Sequence, residues 1–119
     1  MVSLFRYPKR RLKKLIRDGE YPDALEFAST LESKFSNDPD FMFIVGGVYV
    51  ILEESKKALP YFEKAVQLDN NDVEILKLKT DVHLSLQQKD KAVDCCKQIL
   101  KLEPKNSEAQ ELLEELENI

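Results

Sequence analysis

Apolar residues recur along the chain at the spacing of an amphipathic α-helix. One set is Met42, Val45, Gly46 and Tyr49, and a second, beyond a polar break, is Leu59, Phe62, Ala65 and Val66. Because positions i, i+3, i+4 and i+7 share one helix face, these sets predict two helices joined by a turn. The segment FMFIVGGVYVIL, residues 41–52, departs from this pattern because it contains no charged residue. A surface helix has a polar face, so this helix must be covered on more than one side.

The same pattern returns every 34 residues. This offset relates four sets of positions: Ala24, Ala58 and Ala92; Leu25, Leu59 and Val93; Leu31, Ala65 and Ile99; and Ile16, Val50 and Leu84. The polar breaks DGEYPD, EESKK and QQKDK recur in step, as do FSNDPD, LDNND and LEPKN. A fixed period of this length is the sequence signature of stacked helical pairs. It predicts an all-α solenoid in which each unit contributes two helices.

Prolines and asparagines punctuate the predicted helices. Pro22 suits a first turn, where its missing N–H is not needed, and Asn70, Asn71 and Pro104 lie where helices should end. Pro60 falls inside a predicted helix. Since an interior proline removes a backbone hydrogen bond, we expect that helix to start late or to bend slightly at Pro60.

The repeated residues resemble the tetratricopeptide repeat, whose pattern is W-x2-L-G-x2-Y, followed by A-x3-F and P. The second unit matches with Met42, Val45, Gly46, Tyr49, Ala58 and Phe62, and has Asn70 in place of the proline. The third unit keeps Leu76, Ala92 and Pro104 but has Lys79, Thr80, His83 and Cys96 where the pattern has Leu, Gly, Tyr and Phe. The first unit has Pro8 and Arg11 at the Trp and Leu positions, so its first helix is expected to be short.

The resemblance implies one domain over residues 1–119, built as a right-handed α-solenoid of three helix-turn-helix units. The units are 5–38, 39–72 and 73–106, and residues 107–119 form a C-terminal capping helix. A stacked repeat needs a polar cap at its open end, and the glutamate-rich sequence SEAQELLEELENI fits that need.

The composition is that of a globular protein, with 43% apolar and 34% charged residues. The longest apolar run is shorter than the roughly 20 residues that a bilayer-spanning helix needs, so we expect a cytoplasmic protein. Cys95 and Cys96 are adjacent and point in different directions on a helix, which argues against a disulfide between them. Because no metal-ligand set, phosphate loop or catalytic triad is present, the sequence indicates no cofactor and no enzyme.

Two polar residues stand at positions that the family uses for packing. His83 is the only histidine and is expected to be a partly buried helix residue. Lys79 occupies the place of a buried leucine, and we expect its ammonium either to reach solvent or to pair with a carboxylate, since an unpaired buried charge is costly.

Charge is segregated along the chain. Residues 1–17 contain seven basic side chains and no acidic one, whereas residues 18–119 contain eleven basic and 22 acidic side chains. Such segregation bears on partners and on their encounter with the protein rather than on the fold.

In the family that this chain resembles, the first helix of each unit lines a concave groove. The resemblance therefore implies an apolar partner-binding set in the second unit: Phe43, Ile44, Gly47, Val50 and Ile51. It implies a basic partner-binding set at the N-terminal end, Arg6, Lys9, Arg10, Lys13 and Arg17, and a weaker set in the third unit, Lys77, Leu78, Asp81 and Leu84. The capping helix adds acidic residues, so the groove grades from basic through apolar to acidic.

These positions predict a protein–protein interaction module or scaffold that binds a partner peptide segment or helix. Burying four apolar side chains of the second unit would favour binding by roughly 6–12 kcal/mol as an upper bound. The partner is expected to carry apolar residues and acidic residues for the basic end. Some members of the family hold a chaperone's C-terminal carboxylate in a clamp of Lys and Asn side chains, but only Lys9 matches that clamp here, which disfavours this ligand.

Three alternatives stay open from the sequence. Two copies could bury their grooves against each other or stack head to tail through their opposite end charges, giving a homo-oligomer. The N-terminal tail, with Leu4, Phe5 and Tyr7, could cover the groove of its own molecule. The basic first helix could contact RNA or an anionic membrane surface, although it has few interleaved aromatic residues and the rest of the chain is acidic.

Overall fold

A computed structural model describes residues 7–118 of the chain. Arg6, Leu4 and Phe5, which carry part of the basic-end and tail predictions, lie outside the described residues. The described chain has no strand and consists of seven α-helices: α1 (Pro8–Arg17), α2 (Tyr21–Leu31), α3 (Pro39–Ile51), α4 (Ser55–Leu68), α5 (Val73–Ser85), α6 (Lys89–Leu102) and α7 (Ser107–Glu117).

The helices stack as antiparallel pairs along one axis. The molecule measures 55 × 25 × 22 Å, and its radius of gyration of 15.6 Å exceeds the roughly 13.5 Å of a compact domain of this length. Elongation follows because each pair packs only on its sequence neighbours. The predicted all-α solenoid is confirmed. Helix α1 has 10 residues, whereas α3 and α5, the first helices of the next two pairs, have 13 each.

The start of each later pair is fixed by an N-cap side chain that recurs with the 34-residue period. The Asp38 carboxylate accepts a hydrogen bond from Phe41 N–H, Asp72 accepts from Glu74 and Ile75 N–H, and Asn106 accepts from Ala109 N–H. The first N–H groups of a helix have no partner within it, so a side-chain acceptor there stabilises the helix, typically by about 1 kcal/mol. The cap sets where α3, α5 and α7 begin.

The turn inside each pair also repeats, through one residue with left-handed backbone geometry. These residues are Gly19, Glu53 and Gln87, with φ angles of 76°, 59° and 60°. A left-handed residue just after a helix lets the backbone N–H groups that follow bond back to the last carbonyls, as Glu20 N does to Leu15 O at 2.9 Å. Glycine adopts this geometry without the steric cost that a side chain brings.

Replacing Gly19 with alanine is expected to lower the free energy of unfolding by about 1 kcal/mol. No heavy atom lies within 4 Å of the Cβ that alanine would add, so the cost is conformational and not a clash. Urea unfolding followed by far-UV circular dichroism measures it. The reverse change, Glu53→Gly, serves as the control and should be neutral or stabilising; a Gly19→Ala variant as stable as the wild type would contradict the assignment.

Helix α3 contacts four other helices, which explains its uncharged sequence. It packs against α4 in its own pair, against α1 and α2 of the pair before, and against α5 of the pair after. Phe41 and Val48, which the sequence assigned to neither the packing set nor the groove, are almost fully buried, and the Phe41 ring stacks on Phe35 with 5.4 Å between ring centroids. Much of the apolar run is therefore core.

The remaining local predictions have different outcomes. Helix α4 begins at Ser55 and contains Pro60, so of the two alternatives expected at that proline the late start is wrong, and the slight bend stays a prediction. His83 is buried rather than partly buried, and its Nδ1 lies 2.8 Å from the Gln88 Oε1 atom. Cys95 and Cys96 are buried free thiols, and burial raises the pKa of both. Among residues 7–118, none of the helices combines the length and apolar character that crossing a membrane requires.

Candidate functional site

The first helices of the pairs form the inner side of the curved stack. Helices α1, α3 and α5, here called the inner row, are direct neighbours in that order. Among α2, α4 and α6, by contrast, no Cα atom of one helix lies within 8 Å of a Cα atom of another. A stack whose elements touch on one side and separate on the other curves toward the touching side. The inner row therefore lines the concave surface.

The apolar set predicted for the groove lies on α3, but it is less exposed than the sequence implies. Ile51 is 51% exposed. Phe43, Ile44 and Val50 are half-buried against the core, and the Phe43 ring meets Phe62 edge-on at 6.3 Å between centroids. Because these side chains have already left water in part, the free energy available to a partner is well below the sequence-based upper bound.

The two neighbouring glycines of α3 have opposite surroundings. A Cβ on Gly46 would come within 2.8 Å of the Phe62 ring, so this position needs glycine for close packing. A Cβ on Gly47 would have no heavy atom within 4 Å. Gly47 therefore leaves an open notch in the concave surface between Phe43 and Ile51, and we call Phe43, Gly47, Val50 and Ile51 the apolar strip.

At the basic end, Lys9 is half-buried and paired with carboxylates of its own chain. Its Nζ lies 2.7 Å from Asp38 Oδ2 and 3.1 Å from Asp40 Oδ2, and Lys13 Nζ lies 3.8 Å from the same Asp40 atom. The hydrogen bond to Asp38 raises the pKa of Lys9. Partial burial raises the pKa of Asp38, but the bonds from Lys9 and Phe41 N–H outweigh this and lower it overall. Lys9 thus fastens α1 to the N-terminus of α3.

Two other members of the basic set are not neutralised by an ion pair with a described carboxylate. Arg10 and Arg17 are exposed and form no ion pair with a described carboxylate. The Arg10 guanidinium lies over the Tyr7 ring at 5.8 Å from the centroid. Of the described members of the basic set, Arg10 and Arg17 are therefore the ones whose charge no described carboxylate pairs.

The weaker set in the third unit lies on α5. Leu78 and Leu84 are half-buried, and Asp81 is exposed. Lys77 Nζ lies 3.5 Å from Glu74 Oε1 and 3.7 Å from Glu108 Oε2 of α7. Of the four residues, Asp81 is the one that presents an exposed charge on the inner row.

An ion pair between successive units recurs along the inner row, with one interruption. Lys9–Asp40 and Lys77–Glu108 join positions that are related by two repeats. The intervening pair of positions holds Phe43 and Glu74 instead. Asp40 and this ladder were missed from the sequence, although the 34-residue offsets of the four residues could have revealed them. Where the ladder is interrupted, the apolar side chain of Phe43 stands in the place of a lysine on the inner row.

Comparison with known proteins assigns the family. The family model described as "Tetratricopeptide repeat" matches residues 53–116, more than half of the chain. The chain belongs to the tetratricopeptide repeat family. No curated protein matches the chain by sequence.

Solved tetratricopeptide repeat structures share the fold at low identity. The first such domain of Spaghetti (RPAP3), bound to the HSP90 peptide SRMEEVD, is 21% identical with a TM-score of 0.78, over 93% of this chain and 90% of that one. The second domain of human RPAP3, in complex with the HSP70 peptide SGPTIEEVD, gives 18% and 0.80 over 92% of each chain. The Yersinia enterocolitica type III secretion chaperone SycD, in complex with a peptide of the translocator YopD, gives 12% and 0.84 over 97% and 93%. The predicted right-handed tetratricopeptide solenoid is thereby confirmed.

Proposed function

We propose that this tetratricopeptide repeat domain is a non-enzymatic interaction module that binds a segment of another protein along the inner row. The apolar strip carries the proposal. This part of the concave surface is uncharged, with a half-exposed Ile51 and an open notch at Gly47. Covering it with an apolar segment gives a lower free energy than leaving it in contact with water. The cytoplasmic location expected from the sequence is part of the same proposal.

The similar structures support the mode of binding. Three of them hold a peptide of another protein: one of HSP90, one of HSP70 and one of the translocator YopD. Their low identity to this chain supports a shared fold and not a shared ligand. The single residue that matches the carboxylate clamp, Lys9, is already bonded to Asp38 and Asp40, which argues against a chaperone C-terminus as the partner here.

The charge preference that we propose differs along the groove. Acidic residues of the partner would lie toward Arg10 and Arg17, since these two arginines are unpaired within the described chain. Apolar residues would lie on the strip. A segment that runs through both regions has a defined direction, because reversing it would place its acidic end against the carboxylates of α5 and α7.

Replacing Ile51 with glutamate is expected to weaken binding at least about tenfold, because an apolar contact is replaced by a charge that the partner must desolvate. Displayed random peptides are selected on the wild-type domain, and the affinities of enriched peptides are measured by fluorescence polarisation. Ile51 is preferred over Ile44, which packs against the core and would bury the new charge. Leu102→Glu is the matched control, since Leu102 is 38% exposed on the outer helix α6.

Each outcome decides between the proposals. Loss of affinity in Ile51→Glu with retained affinity in Leu102→Glu supports a peptide groove. Equal affinities in all three proteins, or no enriched peptide, would overturn it. Light scattering on the same samples tests the homo-oligomer: a dimer that dissociates only in Ile51→Glu would assign the strip to self-association instead.

The basic helix α1 offers a second candidate surface, supported by exposed Arg10, Arg11, Lys14 and Arg17. Contact with RNA or anionic membrane would show steep loss of affinity with salt, because each neutralised phosphate releases counterions. The Lys14–Asp18 pair and the Lys9 and Lys13 pairs reduce this charge. The apolar strip therefore favours a protein segment as the partner.

A further inference from the structure

We infer that the cavity between α5, α6 and α7 receives a lysine or arginine side chain of the partner segment. The cavity has a volume of about 140 Å³. Its rim includes Lys77, Asp81 and Glu108, which belong to the inner row and to the helix that continues it. This inference rests on the proposed groove, and it specifies the chemistry of one residue of the bound segment.

The cavity exists because α7 does not close onto α5. Helix α3 adjoins both α1 and α5, but no Cα atom of α5 lies within 8 Å of one in α7. Thr80 stands where the second unit has Gly46, and Cys96 stands where it has Phe62. The smaller residue at the Phe62 position leaves space beside α6, and both Thr80 and Cys96 line the cavity.

The floor of the cavity is apolar and its rim is acidic. Cys96, Ile99 and Ala109 are buried wall residues. Burial raises the pKa of the Cys96 thiol, which keeps it neutral. The Thr80 hydroxyl donates to Leu76 O at 2.7 Å, so it is already satisfied. The wall therefore offers contact for an aliphatic chain and few hydrogen-bonding groups.

The carboxylates at the rim exceed the positive charge near them. Asp81 and Glu108 face the cavity together with one ammonium, that of Lys77. Lys77 lies 3.5 Å from Glu74 and 3.7 Å from Glu108, longer than the 2.7–2.9 Å of a strong charge-assisted bond. Partial burial, together with the charge of Glu108, raises the pKa of Asp81. A second cation between Asp81 and Glu108 would relieve this repulsion.

Lysine and arginine match both parts of this site. Their aliphatic stems cover apolar surface while the charged head stays at its edge, and a cavity of 140 Å³ is several times the roughly 30 Å³ that one water occupies. A purely apolar side chain would fill the floor but would desolvate two carboxylates without pairing them. Charge complementarity therefore selects the basic side chain.

The test uses the peptides enriched on the wild-type domain. A basic residue is expected at a fixed distance from the apolar anchors, and its replacement by norleucine or citrulline should weaken binding at least about tenfold, as expected for a lost charge-assisted bond. The same loss is expected when the unmodified peptide is measured on Asp81→Asn or Glu108→Gln. In the double variant Asp81→Asn/Glu108→Gln the peptide's own replacement should have no further effect, because both partner charges are gone.

Glu63→Gln on the outer helix α4 is the matched control and should leave the affinity unchanged, since Glu63 is exposed and does not line the cavity. Peptides that depend on Ile51 but lack an enriched basic residue, or that bind Asp81→Asn within twofold of wild type, would overturn this inference and leave the groove intact. Peptides that bind independently of Ile51 would overturn the groove itself.

Discussion

Replacing Phe62 with alanine is expected to lower the free energy of unfolding by about 3–5 kcal/mol. Phe62 is fully buried in α4, its ring fills the space over Gly46, and it meets Phe43 edge-on. Removing the ring leaves a cavity in the centre of the stack, where neighbouring pairs on both sides resist collapse. A loss of this size would be a large part of the roughly 5–15 kcal/mol that stabilises a typical domain.

Urea unfolding followed by far-UV circular dichroism measures this effect. Gln67→Ala, an exposed change on the same helix, is the control and should stay within about 0.5 kcal/mol of wild type. Phe62→Leu, which keeps part of the apolar volume, should lie between the two and keeps the prediction testable if Phe62→Ala does not fold. If Phe62→Ala lowered the free energy of unfolding no more than the control does, the ring would not fill the centre of the helical stack.

The third pair solves the same packing problem with different residues. Thr80 and Cys96 replace the Gly46 and Phe62 combination, so a larger residue on the first helix is matched by a smaller one on the second. Such an exchange roughly conserves volume, which is why the helices still pair. The volume that Thr80 and Cys96 leave unfilled is the cavity beside α7. A departure from the family pattern thus marks the place where the inner surface gains a separate feature.

The period predicted the fold because it recurs at every level of local structure. The N-caps Asp38, Asp72 and Asn106 and the left-handed residues Gly19, Glu53 and Gln87 keep the same 34-residue offset as the buried alanines. Each such residue acts at the end of its own helix, so its role can be inferred from the sequence without knowing which helices pack together. The caps were nonetheless overlooked, although an Asp or Asn before an apolar run is a known start signal.

The site was harder to predict because exposure depends on neighbours. Phe43 and Val50 were assigned to the groove by position, and their position on the inner row is consistent with that, but contacts with the core cover most of their surface. Lys9 was assigned to the partner, yet Asp38 and Asp40 at the N-terminus of α3 already pair with it. Contacts between units combine residues far apart in sequence, and a single sequence gives no direct measure of them.

Gly46→Ala and Gly47→Ala are expected to change stability in opposite directions, although they are the same substitution at adjacent residues. Gly46→Ala should lose about 1–3 kcal/mol, because its Cβ would lie within 2.8 Å of the Phe62 ring and force the ring to move. Gly47→Ala should gain up to about 1 kcal/mol, because alanine is the better helix former and its Cβ enters open space. The two unfolding free energies should therefore differ by about 1–4 kcal/mol.

Urea unfolding of both variants under the same conditions measures this difference, and equal stabilities would contradict the contrast between the two sites. The binding assay then tests whether Gly47 contributes to partner binding. A helix-interior glycine that nothing in the described chain requires is a cost of about 1 kcal/mol without benefit to the free protein. If the partner's backbone occupies the notch, Gly47→Ala should be more stable and yet bind the selected peptides more weakly. Unchanged affinity would show that the notch stays empty in the complex and that binding depends on Ile51 and its apolar neighbours alone.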